Sequence, residues 1–389
     1  MNPFTFHASQ KPRKPRIAFV CWVSNIRAFK QAYALKKYFP DQYELVLLVT
    51  PFENPVRSLN PKVFDRVITY NTLDELKDRL GAIKPDLIHY HSQWSALACG
   101  VVTIQSAPCP VIMDIYDSYH TMYNFDDMPE GIQSFQSERY CIENCDGLIY
   151  KGTQREIDFY RSYFSLEVPD LHFMDYCLDD FIVNGSSGHG NGRGDAISIV
   201  YAGGVNPMDD PKEFFANGQF DGVGKLIASL GIDFHIYPNP FPSQSDRYQA
   251  YQELDRSTAH FHFHESVPYD ALNFKMSQHN YGWWVHFHPP NTKVSKRQQS
   301  NAIGAKFFTY LEAGLPVIVS DNIGYGVQLL HQYQLGIEIR KDDLERMDTM
   351  LAAVDYKALK ENVVKHRETT FNMREHISRL VEFYEKILG

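Results

Sequence analysis

The chain has 389 residues, 44% of them hydrophobic and 22% charged, enough apolar material for two separate cores of roughly 180 residues each. A formal charge of -9, from 47 acidic against 38 basic residues, argues against a surface built for nucleic acid. There is no run of 18 or more apolar residues and no basic leader ahead of an apolar stretch, so the expectation is a cytoplasmic protein.

In chain order, Lys11, Arg13, Lys14 and Arg16 crowd the N-terminus, and Arg27, Lys30, Lys36 and Lys37 follow the first strand. They read as a solvated terminus and an ordinary helix surface, with peripheral contact to an anionic membrane at its inner face as the alternative. Residues 16–22 (RIAFVCW) form a buried-strand pattern, 27–38 an amphipathic helix and 43–49 the next strand. Shorter strands are expected at 66–70, 87–91, 111–115 and 147–150, with a helix over about 133–144 before the last of them. Short apolar strands alternating with helical patterns predict a mostly parallel sheet covered on both faces. Six cysteines, at 21, 99, 109, 141, 145 and 177, show no metal-finger or redox spacing, and Cys141 and Cys145 share one helix face as packed thiols.

Residues 184–195 (NGSSGHGNGRGD) hold five glycines and two serines in twelve positions and read as a linker or loop. The same grammar then restarts with strands at 197–201, 233–237, 260–264, 281–287 and 336–339. The tail 372–388 places Ile377, Leu380, Val381, Tyr384 and Leu388 on one stripe, which requires a docked helix. This order predicts an α/β protein of two doubly wound, Rossmann-like domains facing each other across a cleft: 1–183, a linker at 184–196, and 197–371. Ligands in such sheets bind outside the carboxyl ends of the strands, so the cleft is the expected site.

The most informative stretch is 301–320, NAIGAKFFTYLEAGLPVIVS. A glycine-containing lead-in runs into a short helix, turns at Gly314-Leu315-Pro316 and continues as an apolar strand. The start of such a helix presents backbone N–H groups that can hold an anion. Lys306, Phe307, Phe308, Tyr310, Leu311, Ala313, Gly314, Leu315, Pro316 and Val317 match, in order, the donor-nucleotide segment of GT-B fold glycosyltransferases, and the chain resembles the large retaining family, type 4. Thr309 stands where that family most often has glutamate. Asn301, eight residues earlier, matches the spacing of its two-glutamate motif with both acids replaced.

The resemblance implies roles for particular residues. His91, in the pattern Asp86-Leu87-Ile88-His89-Tyr90-His91, matches a histidine that reaches the transferred sugar, with His89 one step deeper on the same strand face. Asp114 and Asp117 sit in an aspartate-containing loop, and Asp117 is the better candidate to contact acceptor hydroxyls; both also suit turn amides. Ser24 and Asn25 replace the paired glycines usual after the first strand and offer side-chain donors to a diphosphate. Gly203 and Gly204 follow the first strand of the second half, where an arginine is usual but absent. Lys293, Lys296, Arg297 and Lys306 supply the positive charge that a leaving diphosphate needs. Thr309, with Glu312 one turn on, is expected near the ribose, and Asn301 near a sugar hydroxyl. In the implied family the final helix crosses back onto the first domain.

His260, His262 and His264, and again His286 and His288, line strand faces. A polar strand face is the reading adopted; zinc is the alternative, and no catalytic metal is expected. The resulting functional expectation is a glycosyltransferase using a UDP-sugar or GDP-sugar without an obligatory metal. Its acceptor would be a glycan, a lipid-linked sugar or a small-molecule hydroxyl, and the configuration would be retained. A sugar-nucleotide epimerase or hydrolase, and a non-catalytic binder of glycans or a partner enzyme, are the other classes consistent with the missing arginine and glutamates.

Overall fold

A computed structural model describes residues 13–389 apart from 53, 55, 94, 95, 165, 186–195, 211–217 and 240–244. Most of the expected glycine-rich linker therefore lies outside the described residues.

The first sheet contains β1 (Arg16–Cys21), β2 (Glu44–Val49), β3 (Arg66–Thr69), β4 (Leu87–Ser92), β5 (Val111–Ile115), β6 (Gly147–Tyr150) and β7 (Asp170–His172). They lie in the order β3-β2-β1-β4-β5-β6-β7. The second contains β8 (Ser198–Gly203), β9 (Asp233–Pro238), β10 (Phe261–Phe263), β11 (Tyr281–Trp284), β12 (Val317–Ser320) and β13 (Gly336–Ile339), in the order β10-β9-β8-β11-β12-β13. Every pairing is parallel. Each order reverses beside its first strand, between β1 and β4 and between β8 and β11, and such switch points open a crevice at the carboxyl ends.

The central strands are buried on both faces, which is why they read as continuous apolar runs rather than alternating ones. Helices cover those faces, and their starts follow local rules. The Asn25 side chain accepts from the Ala28 N–H at 2.8 Å to open the helix Ile26–Tyr38, and Thr72 caps Leu73–Ile83 in the same way. Strand β7 was not legible because three residues carry too little periodicity to register. The expected strand at 281–287 stops at Trp284, and the residues beyond it turn toward the cleft.

One apolar cluster continues from Phe19 and Leu47 on the first sheet through Tyr176 and Cys177 to Phe307 and Phe308 of the second half. The chain crosses between the halves twice, and the crossings pair with each other. The Cys177 N–H donates to the Phe371 carbonyl and the Met373 N–H to the Cys177 carbonyl, both at 2.7 Å. The last helix, Ile377–Leu388, buries Ile377, Leu380, Val381, Phe383 and Tyr384 and lies on the first sheet, where the Tyr384 hydroxyl is 2.5 Å from His89 Nδ1. Cys141 and Cys145 are buried free thiols.

Of the N-terminal basic residues, Lys11 lies outside the described residues and the others form ion pairs. Arg13, Lys14, Arg16, Lys36 and Lys37 pair with Asp86, Asp41, Glu44, Asp65 and Asp180. Arg27 and Lys30, expected on a helix surface, are fully buried. Arg27 bonds Asp114 and Asp175, each at 2.8 Å, so Asp114 anchors an interior ion pair instead of a turn.

Candidate active site

Two cavities open between the carboxyl ends of the two sheets. The larger, about 560 Å³, is lined from the first half by Asp117, Lys151 and Glu156 and from the second by Trp284, His286 and Asn301. The smaller, about 350 Å³, is lined by Ser24 and Asn25 on one side and by Gly203, Gly204, Tyr269 and Thr309 on the other. Tyr116, Ala305 and Lys306 belong to both walls, so the cavities meet at the start of the helix Ala305–Glu312.

Backbone N–H groups at that start can receive an anion. Gly304 precedes it and no side chain caps it, and Ile303 to Lys306 line the larger cavity. The Lys306 ammonium forms no hydrogen bond or ion pair among the described residues; it lies 5.4 Å from the centre of the Tyr201 ring. Burial lowers its pKa, and the negative field of Asp117 opposes that shift. Gly203, at φ 144°, makes the approach of Lys306 possible, because a Cβ at that position would overlap Lys306 Cε. Asp117 lies 3.5 Å from Lys151, whose ammonium also sits 4.1 Å over the Tyr116 ring. Burial raises the Asp117 pKa while Lys151 pulls it back.

Around the larger cavity, Asn301 Oδ1 accepts from the Thr153 hydroxyl and so links the two halves. His286 is held at about 3, first by burial and then by Lys306 and His288, and is neutral at physiological pH. Glu156 accepts from the Gly152 N–H at 3.0 Å and the Tyr160 hydroxyl at 2.9 Å, and burial pushes it up to about 7. In the smaller cavity the Thr309 hydroxyl donates to the Ala305 carbonyl at 3.0 Å and stands 3.5 Å from the Tyr269 hydroxyl.

Asp117, Asn301, Lys306, Thr309, Gly203 and Gly204 are thus brought to one place. Several other candidates are not. Glu312, expected near the ribose, is fully buried in an ion pair with Lys30 at 2.7 Å. His91, expected at the cleft edge, has no exposed side-chain surface and lines neither cavity. It stacks on His89 and Phe19, and neither ring nitrogen has a hydrogen-bond partner among the described residues. Ser24 and Asn25 do line the smaller cavity, where the Asn25 carboxamide oxygen also caps a helix and the Ser24 hydroxyl accepts from Asn60 at 2.5 Å. Lys293 lies 3.3 Å from Glu130, Lys296 is exposed, and Arg297 donates to the His120 carbonyl at 2.9 Å with its guanidinium over the Phe159 ring. None of these three lines either cavity.

Sequence reasoning passed over Tyr116, Lys151, Trp284 and Tyr269. Lys151 directly follows β6 and Tyr116 directly follows β5, so the rule that ligands gather at carboxyl strand ends, applied to every strand, would have found both.

Comparison with known proteins bears on the fold. Residues 239–376 match a family model described as Glucosyltransferase 3-like, C-terminal domain. Among solved structures, sucrose-phosphate synthase from Thermosynechococcus elongatus superposes with a TM-score of 0.62 at 16% identity, over 96% of this chain and 99% of that one. A glycosyltransferase from Rickettsia africae gives 0.61 at 10% identity, covering 97% and 99%. MnaA of S. aureus, solved with UDP, gives 0.59 at 13% identity, covering 96% and 97%. No curated protein sequence matches the chain. The two parallel-sheet domains form the GT-B fold.

Proposed function

We propose that the chain transfers a sugar from a nucleoside diphosphate sugar to a hydroxyl acceptor. The observation that carries this reading is Lys306, an ammonium unpaired among the described residues, at a helix start where two cavities meet. The nucleoside is assigned to the smaller cavity, beside Thr309 and Tyr269, and the diphosphate to Lys306 and the N–H groups at the helix start. The transferred sugar and its acceptor fall in the larger cavity, near Asp117, Asn301 and His286. Both volumes lie in the range of small-ligand sites.

The chemistry follows from the charges. As the bond from the sugar's anomeric carbon to the diphosphate oxygen breaks, negative charge grows on the leaving group, and Lys306 and the helix start are already oriented to receive it. The acceptor oxygen forms the new bond, and its proton passes to the leaving diphosphate on the same sugar face, which retains configuration and needs no dedicated carboxylate base. Asp117, beside Lys151, is placed to orient a sugar or acceptor hydroxyl. Lys306 and Lys151 supply the positive charge, so the reaction is proposed to run without a bound divalent ion. A uridine donor is preferred to a guanosine one, because the MnaA structure that shares this fold was solved with UDP.

The test is calorimetry with UDP, GDP and the free nucleosides, followed by donor turnover with and without an added saccharide acceptor. Tight UDP binding and acceptor-dependent turnover are expected. Turnover without acceptor would replace the transferase with a hydrolase or epimerase. No affinity for any nucleotide would leave a binding protein.

No helix among the described residues is long and apolar enough to cross a membrane. The acceptor is proposed to be a glycan, a small-molecule hydroxyl or a lipid-linked sugar.

A further inference from the structure

Strands β9 and β10 run side by side with His235 directly opposite His262. Alternation along β9 puts Asp233, His235 and Tyr237 on one face, and His262 and His264 share the corresponding face of the edge strand. His260, at φ 63° just before that strand, places Nδ1 2.8 Å from Asp233 Oδ1, which His262 Nε2 also approaches at 3.2 Å. The opposite face carries Phe234, Ile236 and Phe261 into a hydrophobic core, so the register that buries those residues also forces the imidazoles together. His286 and His288 take no part; they line the larger cavity.

The imidazoles are in contact. His235 stacks on His262 with ring centres 4.4 Å apart, and its Nδ1 lies 2.9 Å from His264 Nε2. His279 sets its ring 4.2 Å from that of His235. It is only 7% exposed, and its Nε2 has no hydrogen-bond partner among the described residues. One ligand atom from each of Asp233, His235 and His262 lies within 4.8 Å of the others. Ligands around a tetrahedral ion with bonds of about 2.0–2.1 Å sit roughly 3.3 Å apart, a difference that side-chain rotation closes.

We infer that Asp233, His235 and His262 bind one divalent transition-metal ion of the zinc type at the edge of the second sheet, outside the nucleotide cavities. His264 orients His235 through their shared hydrogen bond, as the outer partners of metal-bound imidazoles do. Two imidazoles and one carboxylate, without thiolate, suit zinc and also admit copper or nickel. The other histidine-aspartate group, His89, His91 and Asp114, is a poor competitor. It is fully enclosed, and Arg27 already holds Asp114 at 2.8 Å.

The ion would pin an edge strand of only three residues. It would also fix a cavity wall, since Tyr237 stacks on His264 at 4.3 Å and lines the smaller cavity. The inference stands independently of the transferase reading.

The experiment uses tag-free full-length protein, stripped with chelator and titrated calorimetrically with zinc chloride alone. Visible absorption after cobalt loading reports the ligand geometry. One ion per chain is expected, together with a metal-dependent rise in Tm. The pair of substitutions Asp233→Asn and His262→Ala should weaken zinc by at least about 100-fold, the upper end of what even outer-shell changes cost. The metal-free variant should keep the circular dichroism of the parent, because both side chains are partly exposed. Absence of one-to-one binding, or unchanged affinity in the doubly substituted chain, would overturn the assignment.

Discussion

Lys30 Nζ lies 2.7 Å from Glu312 Oε1 with neither side chain exposed, and the pair joins the first helix of one half to the last turn of the helix Ala305–Glu312 in the other. Its remaining hydrogen-bonding capacity is met. Glu312 accepts from the Leu178 N–H at 2.8 Å and Asn273 at 3.2 Å, while Lys30 reaches the Asp175 and Tyr176 carbonyls. Burial works against the ammonium, but Glu312 holds it protonated above the ordinary lysine range. Replacing Glu312 by glutamine should cost roughly 3–5 kcal/mol, because it strands a buried cation. Adding Lys30→Met to the same chain should recover much of that loss. Urea denaturation checks both, and a single variant no worse than the double one would remove the pair as an interdomain anchor.

Lys306→Met tests the diphosphate assignment. A charged hydrogen bond contributes about 1.5–3 kcal/mol, so UDP should weaken by roughly 10- to 150-fold while uridine affinity stays near that of the parent. Calorimetry with both ligands on one protein preparation separates the cases. Equal weakening of UDP and uridine would mean that Lys306 shapes the cavity and does not meet the phosphates.

Much of this was readable in advance, for identifiable reasons. Of the thirteen strands among the described residues, twelve are apolar or punctuated enough to be seen, and the helix after Gly304 is marked by its lead-in and by its Gly314-Leu315-Pro316 exit. Local pattern could not show which polar residues stay at the surface. Arg27 and Lys30 follow the first strand in an amphipathic pattern that suits solvent equally well, and only the partners Asp114, Asp175 and Glu312, far along the chain, bring them inside. The strand of His91 runs one residue further than expected, to Ser92, and β1 and β5 flank His91 and place Cys21 and Asp114 alongside, so it sits inside the sheet and not at a cleft edge. The histidine cluster shows the same limit, because His235 and His279 come from segments that periodicity alone does not bring beside His262.

Gly203 provides a test of how Lys306 is seated. At φ 144° an L-residue is strained by about 1–3 kcal/mol, and the new methyl group would push on Lys306 Cε. Gly203→Ala should therefore lower Tm and also weaken UDP relative to uridine, since the ammonium has to move. A Cβ on the neighbouring Gly204 would meet nothing within 4 Å, so Gly204→Ala should leave Tm almost unchanged. Loss of stability in both variants alike would point to a general intolerance of that loop.

Glu156 makes stability depend on pH in a defined direction. Burial raises it from 4.5 to about 7, so between those values the unfolded chain has released its proton while the folded chain still holds it. The unfolded state then binds fewer protons, and the contribution of Glu156 to stability is full below about 4.5 and falls as pH rises to about 7. At 1.36 kcal/mol per unit the loss is on the order of 3 kcal/mol. Glu156→Gln removes the titration while keeping an acceptor for the Tyr160 hydroxyl. Urea midpoints measured from pH 4.5 to 8 should therefore decline more steeply for the parent than for the variant, with the two curves running parallel above pH 7. Parallel curves across the whole range would show that the Glu156 pKa is not raised on folding, so that the Tyr160 hydroxyl, Lys151 and the Gly152 N–H offset burial.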